Sequence, residues 1–93
     1  MKFELEYWPA ADAALTALEN DPAMVPVLRA VDRTLVQLAT DPFSPRLGTI
    51  PFMTEELGGV NATPARSDDW YVLWQRGPDP RTIEIILIHS LRR

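Results

Sequence analysis

Residues 69–90 read DWYVLWQRGPDPRTIEIILIHS, and the fold turns on this stretch. Trp70, Val72 and Trp74 fall on one side of an extended chain, and Tyr71, Leu73 and Gln75 on the other. That is the period-two pattern of a half-buried strand. Gly77-Pro78-Asp79-Pro80 then makes a turn. Its two prolines cannot donate to a ladder, its glycine is permissive, and its aspartate side chain can close an Asx turn. Beyond it Ile85, Ile86, Leu87 and Ile88 run without a polar break, as suits a central strand with both faces largely covered. The stretch predicts an antiparallel hairpin. Strict alternation along its second strand puts Ile83, Ile85, Leu87 and His89 on the helix-covered face. Ile86 and Ile88 then share the opposite face with Tyr71 and Leu73.

The upstream chain reads as cover for this hairpin. Lys2 to Tyr7 alternates, with Phe3, Leu5 and Tyr7 on one face and Lys2, Glu4 and Glu6 on the other, as in an edge strand with one wet side. Pro9 ends it and suits the first turn of a helix over Ala10 to Glu19, whose apolar stripe is Ala11, Ala14, Leu15 and Leu18. Asn20-Asp21-Pro22 separates this helix from a second. Because of Pro26 the second runs regularly only from that residue, with Ala23 to Val25 as a preceding turn. Leu28, Val31, Leu35 and Leu38 form its buried stripe, and Asp41-Pro42 stops it. A short strand is expected around Leu47 to Met53. Thr54 to Ser67, with Gly58-Gly59 and Pro64, reads as a loop or hairpin tip. The expected architecture is α+β, in the order β-α-α-β-β-β. It is an antiparallel sheet with a two-helix layer on one face, forming one domain over residues 1–93.

Size and charge bound the function. A chain of 93 residues buries roughly 60–70% of its unfolded surface, enough for one modest core. It has no cysteine, so no disulfide scaffold and no thiolate metal site is expected. Glu55-Glu56 is a single carboxylate pair with no second cluster to complete a metal shell, and no cofactor is implied. No apolar run approaches the ~18 residues of a membrane span, and the acidic N-terminal stretch is unlike a signal peptide, so the expected location is the cytoplasm. The net charge is −4. Residues 1–45 carry three bases, Lys2, Arg29 and Arg33, against seven acids, whereas residues 46–93 carry six arginines against six acids. A protein that grips nucleic acid over a broad face needs an excess of bases. Eight of the nine bases are arginine, whose planar fork suits a small phosphate or carboxylate site.

The order of elements, with Tyr7-Trp8-Pro9-Ala10 leading from first strand to first helix, resembles the RelE/ParE superfamily of small bacterial toxins. So do Leu38-Ala39-Thr40-Asp41-Pro42 closing the second helix, Asp69 to Trp74 opening the central strand, and Ile85 to His89 running into a basic tail. The resemblance spans nearly the whole chain. It implies a cognate antitoxin protein as partner and, for the RelE branch, cleavage of messenger RNA in the ribosome. That chemistry is attack of a ribose 2′-hydroxyl on the adjacent phosphate, and it needs a base, an acid and cations over the phosphate. The chain departs from the pattern of active members. Tyr71 stands where their central strand carries an arginine, and Lys2 is the only lysine.

Four residues remain for a phosphate site. Arg66, before the central strand, is a phosphate clamp or a solvated loop arginine. His89, the only histidine, has an ordinary pKa suited to proton transfer near neutral pH, against the plainer role of a partly buried structural histidine. Arg81 and Arg92 are candidate RNA contacts or a solvated rim and tail. The other reading is a protein-interaction module on the same scaffold, either a ParE-like gyrase inhibitor or an inactive relative. There Tyr71, Leu73, Ile86 and Ile88 form an apolar patch that an antitoxin segment or a second copy of the chain covers.

Overall fold

The computed structural model describes residues 2–67 and 69–90. Strand β1 (Glu4–Tyr7) leads into helix α1 (Pro9–Glu19), a short 3-10 turn (Pro22–Met24) and helix α2 (Val25–Thr40). A second 3-10 turn (Pro45–Leu47) precedes four strands: β2 (Ile50–Thr54), β3 (Gly58–Pro64), β4 (Trp70–Arg76) and β5 (Thr82–Ser90). They form one five-stranded sheet in the order β1-β5-β4-β3-β2. The pairs from β2 to β5 are antiparallel, whereas β1 lies parallel to β5, so the sheet is mixed rather than purely antiparallel. The α+β class and the helix pair hold. The stretch expected to be a loop, 54–67, instead supplies the whole of β3.

Local chemistry accounts for the helix boundaries. Pro9 opens α1 at a position whose N–H would have no intrahelical acceptor. The Asp21 carboxylate accepts from the Ala23 N–H at 3.0 Å and starts the turn before α2. Pro26 sits in the first turn of α2, where its missing N–H is again harmless. Ala11 and Leu18 of α1 and Val27, Val31, Leu35 and Leu38 of α2 then pack on Val72, Trp74, Ile83, Ile85 and Ile88 of the sheet. The central turn closes as its residue types require. Gly77 N–H donates to the Thr82 carbonyl at 2.8 Å, and Asp79 Oδ1 accepts from the Arg81 N–H at 2.8 Å.

The β4/β5 ladder breaks step once. Val72 pairs with Ile88 and Leu73 with Leu87, but Trp74 pairs with Ile85, which leaves Ile86 outside the register. This β-bulge inserts one residue and inverts the facing of everything beyond it. Ile88 turns into the helix-covered core at 2% exposure, so it is not on the patch where strict alternation put it. Leu87 and His89 change sides with it, and His89 is exposed, not part-buried beneath the helices.

Tyr7, at the end of β1, has its phenol raised above the ordinary 10.0, chiefly by desolvation and secondly by the Asp32 carboxylate. Folding favours the neutral phenol. Its contribution to stability is therefore complete below pH 10 and is lost as pH rises through the folded-state pKa. Ultraviolet titration in a Tyr71→Phe background should find Tyr7 ionising late, and Asp32→Asn should bring it only part of the way back. A Tyr7 titrating at the free-tyrosine value would contradict this.

Candidate functional site

With α1 and α2 both packed on one face, the other face of the sheet carries no helix among the described residues. The register says what it presents. Ile50 pairs with Ala62, Ala62 with Leu73 and Leu73 with Leu87, so these four form one row. Phe52 and Val60 flank that row on one side, and Pro64, Tyr71 and His89 on the other. Ile50, Phe52, Ala62, Tyr71, Leu73, Leu87 and His89 enclose a hollow of about 220 Å³ whose walls are carbon surface. A broader cleft of about 510 Å³ adjoins it, sharing Leu73 and Leu87 and bounded by Trp8, Ile86, Glu55 and Glu56. The two make one trough along β4 and β5.

Its outer wall is strand β2, where large apolar side chains lie open to solvent: Ile50 is 51% exposed and Phe52 45%. Ala62 and Ile86 floor the trough, and with Val60, two residues from Ala62 on β3, they are buried without joining the core beneath the helices. The hairpin is held by a chain of hydroxyls. Trp74 Nε1–H donates to Thr63 Oγ1 at 2.8 Å, and Thr63 Oγ1 lies 2.6 Å from Thr49 Oγ1. Trp8 is set at the far end by its own N–H, which donates to the Ile85 carbonyl at 2.9 Å.

The sequence-derived residues scatter over this frame. Tyr71 and His89 are cross-strand neighbours at one end of the trough, Leu73 lies in its middle, and Ile86 lines the cleft beyond. Ile88 is in the core. Arg66 lies in the turn from β3 to β4, at the same end of the sheet as His89. Its backbone is left-handed, at φ 63°, and its Nη2 donates to the Arg46 carbonyl at 3.2 Å. Arg81 lies in the β4–β5 turn, at the opposite end of the sheet, and Arg92 falls outside the described residues. Arg66 and Arg81 are therefore not gathered over one phosphate position. Sequence reading missed Trp8, Ile50, Phe52 and Leu87. The alternation of Ile50 with Phe52 was a usable signal for the wall, whereas Leu87 was hidden by the bulge. No group of three or more His, Asp or Glu side chains able to hold a metal occurs among the described residues, and no helix is long and apolar enough to cross a membrane.

Solved structures that match this chain almost end to end include the following three. A YoeB/ParE toxin from Agrobacterium tumefaciens superposes with a TM-score of 0.74 at 9% identity, covering 94% of this chain and 96% of that one. The chain has the RelE/ParE toxin fold. The RelBE2 toxin–antitoxin complex of Mycobacterium tuberculosis contains a chain with this fold at TM-score 0.67 and 19% identity, with 97% and 99% covered. The archaeal RelE–RelB complex of Pyrococcus horikoshii OT3 contains another at 0.69 and 14%, with 100% and 99% covered. No family model matches the sequence, and no curated protein matches it. At such low identity the RelE/ParE fold is what these neighbours share with the chain.

Proposed function

We propose that this protein is the toxin-like component of a bacterial type II toxin–antitoxin pair, working in the cytoplasm, and that it acts by protein contact through the uncovered face of its sheet. The observation that carries this reading is the trough along β4 and β5, whose hollow has walls of carbon surface beside the exposed wall of β2. A surface of this kind is stabilised by a protein partner and offers no hold to a phosphate chain, which needs cations along its path. The same face carries Glu4, Glu6 and Glu84, adding negative charge where RNA would run. Two of the structurally similar proteins were solved as complexes with RelB antitoxins, which supports a cognate antitoxin as the partner that covers the face.

One observation favours the ribosome-dependent RNA cleavage reading instead. The bulge presents His89 to solvent beside Tyr71, with Arg66 at the same end of the sheet. Expression in a bacterial host, with and without the product of the neighbouring gene, tests the main reading. Growth should stop with the chain alone and recover on co-expression, and Leu73→Glu should remove both effects while the protein stays folded. No growth defect in either case would end the toxin reading. Cleavage of messenger RNA on purified translating ribosomes, lost in His89→Ala, would transfer the activity to the second one.

A further inference from the structure

The trough is electrically lopsided, and this specifies the partner more closely than its apolar character does. At the Tyr71 end stands His89, while the guanidinium of Arg66, in the adjoining turn, is turned to the Arg46 carbonyl and lines neither the hollow nor the cleft. At the other end Glu55 and Glu56 border the broader cleft beside Trp8, over an apolar floor of Leu73, Ile86 and Leu87. Glu84 lies two residues before Ile86 on β5, facing Glu6 of β1 across the register, so the negative charge continues past the cleft. Carboxylates and an indole around an apolar floor suit a cationic side chain. Its methylenes lie on the floor, its charge meets the glutamates, and the ring face adds attraction.

From this complementarity we infer that the occupant of the trough is a basic amphipathic peptide segment. Its large apolar side chains fill the hollow lined by Ile50, Phe52, Tyr71 and Leu73, and a lysine or arginine beyond them enters the cleft at Glu55 and Glu56. The inference rests on the reading of this face as a protein-docking surface and adds the partner's charge. Opposite charges across an interface select among partners that are otherwise alike in apolar content. The chain's net charge of −4 points the same way. The segment of the antitoxin that crosses this face is therefore positively charged.

A phage-displayed library of short random peptides, panned on the full chain and counter-selected on Leu73→Glu, tests this directly, since the library contains basic, neutral and acidic flanks alike. The selected peptides should share two or three large apolar residues with a lysine or arginine to one side. They should bind the Glu55→Gln/Glu56→Gln double variant about five- to tenfold more weakly, with the difference shrinking at high salt. Both glutamates are exposed turn residues, so that variant keeps the fold. Apolar peptides with neutral or acidic flanks, bound equally by both proteins, would overturn the inference and leave the docking surface standing. Failure to enrich any peptide would overturn both. Sedimentation showing a dimer that Leu73→Glu dissolves would overturn the inference in favour of a second copy of the chain as the occupant.

Discussion

Ile88→Asp should unfold the protein, and Leu87→Asp, one residue earlier, should leave its melting temperature within a few degrees and abolish partner binding. Ile88 is 2% exposed and packed in the core with Val31, Leu38 and Val72, where an unpaired carboxylate costs several kcal/mol. A domain of this size has about 5–15 kcal/mol in total, so that loss is enough to remove most of the folded population. Leu87 is on the uncovered face beside Leu73, partly open to solvent, where a carboxylate keeps its hydration. The same charge there sits in the floor of the trough and has no place under an apolar partner. The contrast isolates the bulge at Ile86, because a strand that alternated without interruption would show the two phenotypes exchanged. Circular dichroism melts of both variants decide it. A folded Ile88→Asp with an unfolded Leu87→Asp would refute the facing assigned to β5.

That bulge also marks where the amino-acid pattern stopped being readable. The helices were legible because their stripes, Ala11 with Leu18 and Val31 with Leu35 and Leu38, repeat at the helical period and are the residues found buried. The turn at Gly77 to Pro80 was legible because few other conformations suit those residues. In β5, however, the run Ile85-Ile86-Leu87-Ile88 is apolar on both faces, so no polar residue reports the change of phase. Strand β3 was missed for a different reason. Its residues are small because of what they sit beside: Thr63 and Asn61 flank the Trp74 indole, and Ala62 floors a hollow that a large side chain would fill. A stretch of glycine, alanine, threonine and proline has the composition of a loop. It is a strand because tertiary packing overrides local preference. The trough itself was half legible. Tyr71 and Leu73 follow from alternation alone, but the β2 wall and Leu87 depend on a pairing and a bulge that involve distant parts of the chain.

Trp74→Ala should be the most destabilising neutral substitution in the sheet, at about 3–5 kcal/mol, since a large side chain 1% exposed leaves a cavity its neighbours cannot close. The more informative variant is Thr63→Val. The threonine hydroxyl accepts the indole N–H and meets Thr49 Oγ1, which ties the segment entering β2 to the centre of the core. Valine keeps the volume and removes both interactions, leaving a buried indole donor unsatisfied at a cost of about 1–3 kcal/mol. The loss should be felt unevenly. Strand β2 is an edge strand, joined by its ladder to β3 alone, so its amides should exchange much faster in Thr63→Val while those of β4 and β5 keep their protection. Because Ile50 and Phe52 form the trough's outer wall, partner affinity should fall more than the global stability loss accounts for. A double-mutant cycle between Trp74→Phe and Thr63→Val should show coupling of about 0.5–3 kcal/mol, as for side chains sharing one buried hydrogen bond. Zero coupling with β2 exchange unchanged would mean that the wall stands on its ladder alone and that the hydroxyl chain has no part in holding the docking surface open.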